Sequence, residues 1–172
     1  MSTDKRREDI LKVLSLQEEP ITGSDLAEQF GVSRQVIVQD IALLRAQGKQ
    51  ILATSQGYIL AEPGQQRASK TIACVHGPEE SEIAEELEII VQHGGRIRDV
   101  IVEHPLYGEL KGLLMIQSKS DIKEFIKKYR QETVKPLLTL TEGVHLHTVE
   151  ALTEEGLMLI EEKLAAVGYL LS

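Results

Sequence analysis

Apolar residues recur at helical spacing in three successive segments at the start of the chain. In the first, Ile10, Leu11, Val13 and Leu14 follow Ser2 and Thr3, either of which can cap a helix, and Pro20 lies beyond its end. The second, residues 24–30, puts Leu26, Ala27 and Phe30 on one face before Gly31 breaks it. Ser33 then caps a third, on which Ile37, Ile41 and Leu44 share one side at i, i+4 and i+7 while Gln35, Gln39, Ala42 and Ala46 take the other. A short helix, a glycine turn and another helix form a helix-turn-helix pattern. Gly48 ends the third helix, and the runs Ile51 to Thr54 and Tyr58 to Leu60 flank Ser55-Gln56-Gly57 as a hairpin would. Three helices and a hairpin predict a winged helix over residues 1–61.

Residues 62–70 contain Pro63-Gly64 and no large apolar side chain, so they read as a linker. Beyond it, residues 71–172 change period repeatedly. A β-branched run at 71–75 precedes a helix over 78–93 with Ile83, Leu87 and Ile90 inward, closed by Gly94-Gly95. Strands follow at 96–103 and 110–116, joined through His104-Pro105-Leu106-Tyr107-Gly108. Ser120 is expected to cap a helix running to Tyr129 with Ile122, Phe125 and Ile126 inward. A strand at 144–149 and a helix at 154–167, carrying Leu157, Leu159, Ile160 and Leu164, complete the chain. The order β-α-β-β-α-β-α predicts an α+β, ferredoxin-like second domain.

Composition narrows the function. No apolar run approaches the roughly 20 residues needed to span a bilayer, and the first residues lack the apolar core of a signal peptide. One cysteine and no CxxC pair fit a reducing cytoplasm and exclude a zinc finger. With a net charge of −8 and 3% aromatic residues, the chain is unsuited to coating nucleic acid through a basic, stacking surface. The charge is uneven: residues 1–61 carry seven Lys/Arg against eight Asp/Glu, and the remainder twelve against nineteen. A sequence-reading module within an acidic protein therefore remains open.

The polar face of the third helix suits that role because it is nearly uncharged. Gln35 and Gln39 can pair with adenine edges, Ala42 and Ala46 permit close approach to the groove, Val38 can meet a thymine methyl, and Arg34 can reach a phosphate. Ser33 and the hairpin residues Thr54, Ser55 and Gln56 complete the candidate DNA-contacting set. With no net positive charge a single such unit would bind DNA weakly, which favours a homodimer on double-stranded DNA, in which two half-sites double the contacts.

The second domain holds the chemistry. His145 and His147, two apart on a strand, project from one face and can reach a single ion. His76 ends the first strand just before a helix rich in carboxylates, where Glu86 lies on the shoulder of the buried stripe and Glu85 points away; Glu79 is a second candidate. Three imidazoles and a carboxylate suit a divalent zinc, nickel, iron or manganese ion. His104 either lines a pocket or merely turns the chain, and Tyr107 can stack on a ring. His93 at a helix C-terminus reads as structural, Cys74 as a small core residue, and Arg96 and Arg98 as solvated edge charges.

The segments VSRQVIVQDIALLRAQG and ILATSQGYIL resemble the N-terminal domain of bacterial niacin-responsive transcriptional repressors, itself similar to the winged helix of biotin repressors. The biotin-repressor likeness stops there, because no glycine- and arginine-rich nucleotide loop follows. VHGPEE, EELEIIVQHGGRIRDVIVEHPLYGEL and PLLTLTEGVHLHTVEA resemble the three-histidine domain that follows the winged helix in the niacin-responsive family. The likeness runs from about residue 6 to residue 170. It implies a repressor of niacin transport or salvage genes, nicotinic acid as co-repressor, and metal ligands at His76, Glu86, His145 and His147, with His104 and Tyr107 as candidates for the effector pocket. Two other readings stay open from the residues alone: a repressor answering to the metal itself, and a metal-dependent hydrolase fused to a DNA-binding module. The hydrolase lacks any His-Glu-x-x-His arrangement to supply a base beside the metal.

Overall fold

A computed structural model describes residues 2–61 and 67–172; positions 62–66 of the expected linker lie outside them. The chain divides into two compact units, Met1–Pro63 and Gly64–Ser172.

In the first unit α1 (Thr3–Ser15) starts at Ser2, whose hydroxyl accepts from the Lys5 amide. Helix α2 (Gly23–Phe30) is capped by Thr22 and ends at Gly31, and α3 (Arg34–Ala46) is capped by Ser33, as expected for the third helix. Strands β1 (Ile51–Thr54) and β2 (Gly57–Leu60) pair antiparallel as the expected wing. Ile10, Leu14, Leu26, Ile37, Ile41, Leu44 and Ile51 bury together between helices and wing. Gly57, at φ +130°, lies where Tyr58 bridges Ile21; a Cβ there would run into the Ile21 carbonyl. A side chain that periodicity leaves polar is also inside: Asp40 on α3 is 2% exposed and takes the Nε–H groups of Arg6 at 2.6 Å and Arg7 at 3.1 Å. This pairing ties α1 to α3.

The second unit keeps the expected element order with one addition. Its elements are β3 (Ala68–Val75), α4 (Glu80–Gln92), β4 (Arg96–His104), β5 (Gly108–Ile116), α5 (Lys119–Gln131), a 3₁₀ turn (Leu137–Thr141), β6 (Val144–Ala151) and α6 (Glu154–Ala166). The sheet order is β3-β6-β4-β5, antiparallel throughout. The last strand in sequence thus lies inside the sheet. Strand β3 begins at Ala68, within the stretch expected to be linker, because Ala68, Ser69 and Lys70 pair with Ala151, Glu150 and Val149. Helix α5 is capped by Ser118 rather than Ser120, since Ser118 forms a reciprocal capping box with Asp121. Leu159 faces outward at 39% exposure, one step off the stripe of Leu157, Ile160 and Leu164. Helices α4, α5 and α6 share a core with one face of the sheet, built around Ile72, Leu87, Ile90, Ile97, Ile116, Ile126, Val149, Ile160 and Leu164.

A buried histidine cluster and a candidate DNA-reading helix

The β3–β6 ladder sets Cys74 opposite His145 and Ile72 opposite His147. Residues directly opposite share a face, so these side chains join Val149 on the side covered by helices. His76, just past the end of β3, is held by its amide to the Gly143 carbonyl. Helix α4 places Glu86 between Ile83 and Ile90 on its buried stripe. The result is a polar patch enclosed within the apolar core, where the side chains of His76, His145, His147 and Glu86 are at most 3% exposed.

The hydrogen bonds orient every ring alike. Nδ1 of His76 donates to the Gly77 carbonyl at 2.8 Å, Nδ1 of His145 to the Gly143 carbonyl at 2.8 Å, and Nδ1 of His147 to the Asp99 carbonyl at 2.6 Å. A carbonyl only accepts, so each Nδ1 carries its proton and each Nε2 is left to face the pocket. All three Nε2 atoms converge on Glu86, at 2.8 Å from His76, 3.1 Å from His145 and 3.2 Å from His147. Electrostatics follow this geometry. Burial lowers the pKa of His76 and His147, but the Glu86 carboxylate and the backbone carbonyls more than offset it, leaving both raised. Burial likewise opposes ionisation of Glu86, yet the surrounding imidazoles, His147 foremost, hold it well below the usual carboxylate range.

Such a set fits a divalent cation. Three imidazole lone pairs and a carboxylate oppose one another unless protons or a cation lie between them, and backbone acceptors at the remote nitrogens fix rings for metal ligation in this way. Of the three candidate carboxylates only Glu86 is inside. Glu79, the cap residue of α4, and Glu85 are exposed, the latter accepting from the Tyr169 hydroxyl.

Several contributors lack a periodic signal. Asp99 sits where the β4–β6 register shifts: its carbonyl holds His147 and its carboxylate accepts from the Thr148 amide at 2.9 Å. Gly143, at φ +93°, presents its carbonyl to both His76 and His145, and a Cβ there would strike the His76 backbone. The Tyr169 ring lies 5.1 Å from that of His76. A cleft of about 490 Å³ opens beside His76, lined also by Val75, Gly77, Pro78, Leu138, Thr139, Glu142 and Gly143.

Elsewhere, His104 and Tyr107 sit in the β4–β5 turn with their rings 5.1 Å apart, and His104 Nδ1 accepts the Leu106 and Tyr107 amides. His93 donates from Nδ1 to the Ile89 carbonyl at the end of α4. Cys74 is fully buried, as expected. Arg96 and Arg98 approach Glu150 at 3.9 and 3.5 Å.

In the first unit, Arg34, Gln35, Gln39, Ala42 and Ala46 form an exposed face of α3, with Val38 half-buried at its margin. The Ser33 hydroxyl caps the helix. In the wing, Thr54 uses its hydroxyl to close the turn, donating to the Gly57 carbonyl at 2.9 Å and accepting from the Gln56 amide at 3.1 Å, while Ser55 and Gln56 are half-buried.

A helix-turn-helix unit followed by a separate α+β domain has the layout of a DNA-binding protein with a second domain. Residues 6–59 match the HTH domain and residues 69–172 the 3H domain. Over 167 residues the chain is 47% identical to the probable transcription repressor NiaR of Thermotoga maritima, spanning 97% of this chain and 94% of that protein. Over 169 residues it is 42% identical to the transcription repressor NadR of Bacillus subtilis, spanning 96% and 93%. The chain belongs to this NiaR/NadR family of transcription repressors, which are not enzymes.

Proposed function

We propose that this repressor silences niacin transport or salvage genes, with nicotinic acid as its co-repressor. In this reading a homodimer binds operator DNA, using Ser33, Arg34, Gln35, Val38 and Gln39 of each α3 together with Thr54, Ser55 and Gln56 of each wing. His76, Glu86, His145 and His147 would hold a divalent transition ion. The supporting observation is the convergence of three Nδ1-anchored imidazoles on one buried carboxylate, together with the resemblance of both domains to niacin-responsive repressors.

A bound ion would supply a Lewis-acidic positive charge within residues 62–172, whose net charge is −7. Without it, a small planar carboxylate such as nicotinic acid would meet net repulsion. The cleft beside His76 has an apolar lining from Val75, Pro78 and Leu138 that suits an aromatic ring. Gly77, Gly143 and Asp99 hold the imidazoles in place through their carbonyls, so the cluster is set before an effector arrives.

Operator binding titrated separately with metal and with nicotinic acid tests the reading. Tightening by nicotinic acid only when metal is present supports it. Tightening by metal alone, indifferent to nicotinic acid, would make the ion itself the signal. A metal-free protein that responds normally to nicotinic acid would place the effector site elsewhere.

A further inference from the structure

The two edges of the sheet in the second unit are finished differently. Along β3 the C-terminal segment closes the edge: the Val75 amide donates to the Tyr169 carbonyl and the Leu171 amide to the Ala73 carbonyl, both at 2.9 Å. Along β5, among the described residues of the second unit, only β4 pairs with the backbone of residues 108–113. Alternate N–H and C=O groups of an edge strand face outward, so this edge is a template for another strand. The usual protections are missing from it. Residues 108–113 contain no proline, and the register shift in the β4–β5 ladder, with Met115 at φ +58°, comes after them.

The charges on this edge are unevenly matched within one chain. Glu109 stands directly opposite Glu103 on β4, and like charges in that relation repel. Lys111, two residues on and so on the same face, reaches only the margin of ion-pair distance, 3.9 Å from Glu109 and 4.0 Å from Asp99. It thus stands among three carboxylates. Glu109-Leu110-Lys111 is, however, self-complementary when run antiparallel: with Leu110 across from its own copy, Glu109 meets the second copy's Lys111 and Lys111 meets its Glu109. The same register carries the hairpin tip, Leu106 at 76% and Tyr107 at 71% exposure, alongside the second copy's strand, with position 107 across from Leu113.

We propose that β5 pairs antiparallel with β5 of a second copy, centred on Leu110, joining the two four-stranded sheets into one. The proposal rests on the homodimer reading above and assigns its interface. A twofold axis through the Leu110 pair makes the contact isologous. It brings the second copy's ammonium to the Glu103–Glu109 pair and removes apolar surface of Leu106 and Tyr107 from water in both copies. Because the β3 edge is already closed, assembly through the sheet stops at two copies.

Sedimentation equilibrium of the full-length protein and two charge variants tests this. In Glu109→Lys each inter-chain contact of the motif becomes Lys against Lys, and in Lys111→Glu it becomes Glu against Glu. A mixed pair of the two variants restores Lys against Glu at both contacts. Both side chains are exposed, so the substitutions leave the core of the domain untouched. The expected result is a dimer for the unaltered protein, dimerisation weakened about tenfold or more in each variant alone, and recovery of the dimer in an equimolar mixture. A dimer that both variants keep, or a loss that mixing does not restore, overturns the β5 pairing and leaves the homodimer reading standing. A monomeric unaltered protein overturns both.

Discussion

At Glu86 a carboxylate occupies a position that helical spacing assigns to an aliphatic side chain, three residues after Ile83 and four before Ile90. Its burial is tolerable because three imidazoles surround it, and their roles as ligands are testable one by one. His145→Ala or His147→Ala is expected to abolish stoichiometric metal binding, measured by elemental analysis, while the first unit keeps its helical circular dichroism; full occupancy in both variants would contradict ligation. Protons compete with metal for the same nitrogens. In the metal-free state His76 and His147 have raised pKa values, so their proton-linked stabilisation is full below the ordinary histidine value and lost as pH rises through the raised ones. Metal binding displaces those protons, so the rise in Tm on adding metal should be larger near pH 8 than near pH 6. Equal shifts at the two values would argue against competition at these rings. On the DNA side, Gln35→Ala and Gln39→Ala should each reduce discrimination for operator over random sequence by about 1 to 3 kcal/mol, as expected for loss of a bidentate base contact. An equal loss on both DNAs, in a binding assay at fixed salt, would reassign them to the backbone.

Elements carry these residues into place. The wing depends on Gly57 passing close to Ile21, and α3 is tied to α1 by Asp40 between Arg6 and Arg7. In the second unit the 3₁₀ turn ends in two residues at positive φ, Glu142 and Gly143, that aim one carbonyl at both His76 and His145. Gly143→Ala would force its Cβ against the His76 backbone, so it should weaken metal affinity by about tenfold or more, the order seen when the outer hydrogen-bonding partners of metal ligands are lost. The residue needs no contact with the ion to do this. Metal titration of the variant with unchanged affinity would show that the turn does not position the rings.

At the scale of the whole molecule, the two units must be coupled if an effector in one is to alter DNA affinity in the other. Chelator treatment is expected to abolish the nicotinic acid response and preserve basal DNA binding, because no residue of the proposed metal site lies in the first unit. Nicotinamide, lacking the carboxylate, should regulate much less well than nicotinic acid. Linkage also requires that operator DNA tighten nicotinic acid binding by the same factor by which nicotinic acid tightens operator binding. Calorimetry with and without operator checks that equality.

The sequence by itself determined the two domains, their element order and, from strand alternation and the helical stripe, the residues that gather at the histidine cluster. It could do so because a period of two on β6 and of 3.6 on α4 decides locally which side chains share a face. It also carried the polar face of α3 and the caps Ser2 and Ser33, since capping and amphipathicity act within a few residues. Tertiary structure decided what depends on partners distant in the chain. The order β3-β6-β4-β5, the start of β3 at Ala68, the register shift at Asp99 and the burial of Asp40 all arise from pairings made across long loops. The same holds for the orientation of the imidazoles, because the carbonyls of Gly143 and Asp99 reach them only once three strands have met. Local periodicity tells a side chain which way to face, and only packing supplies what it meets there.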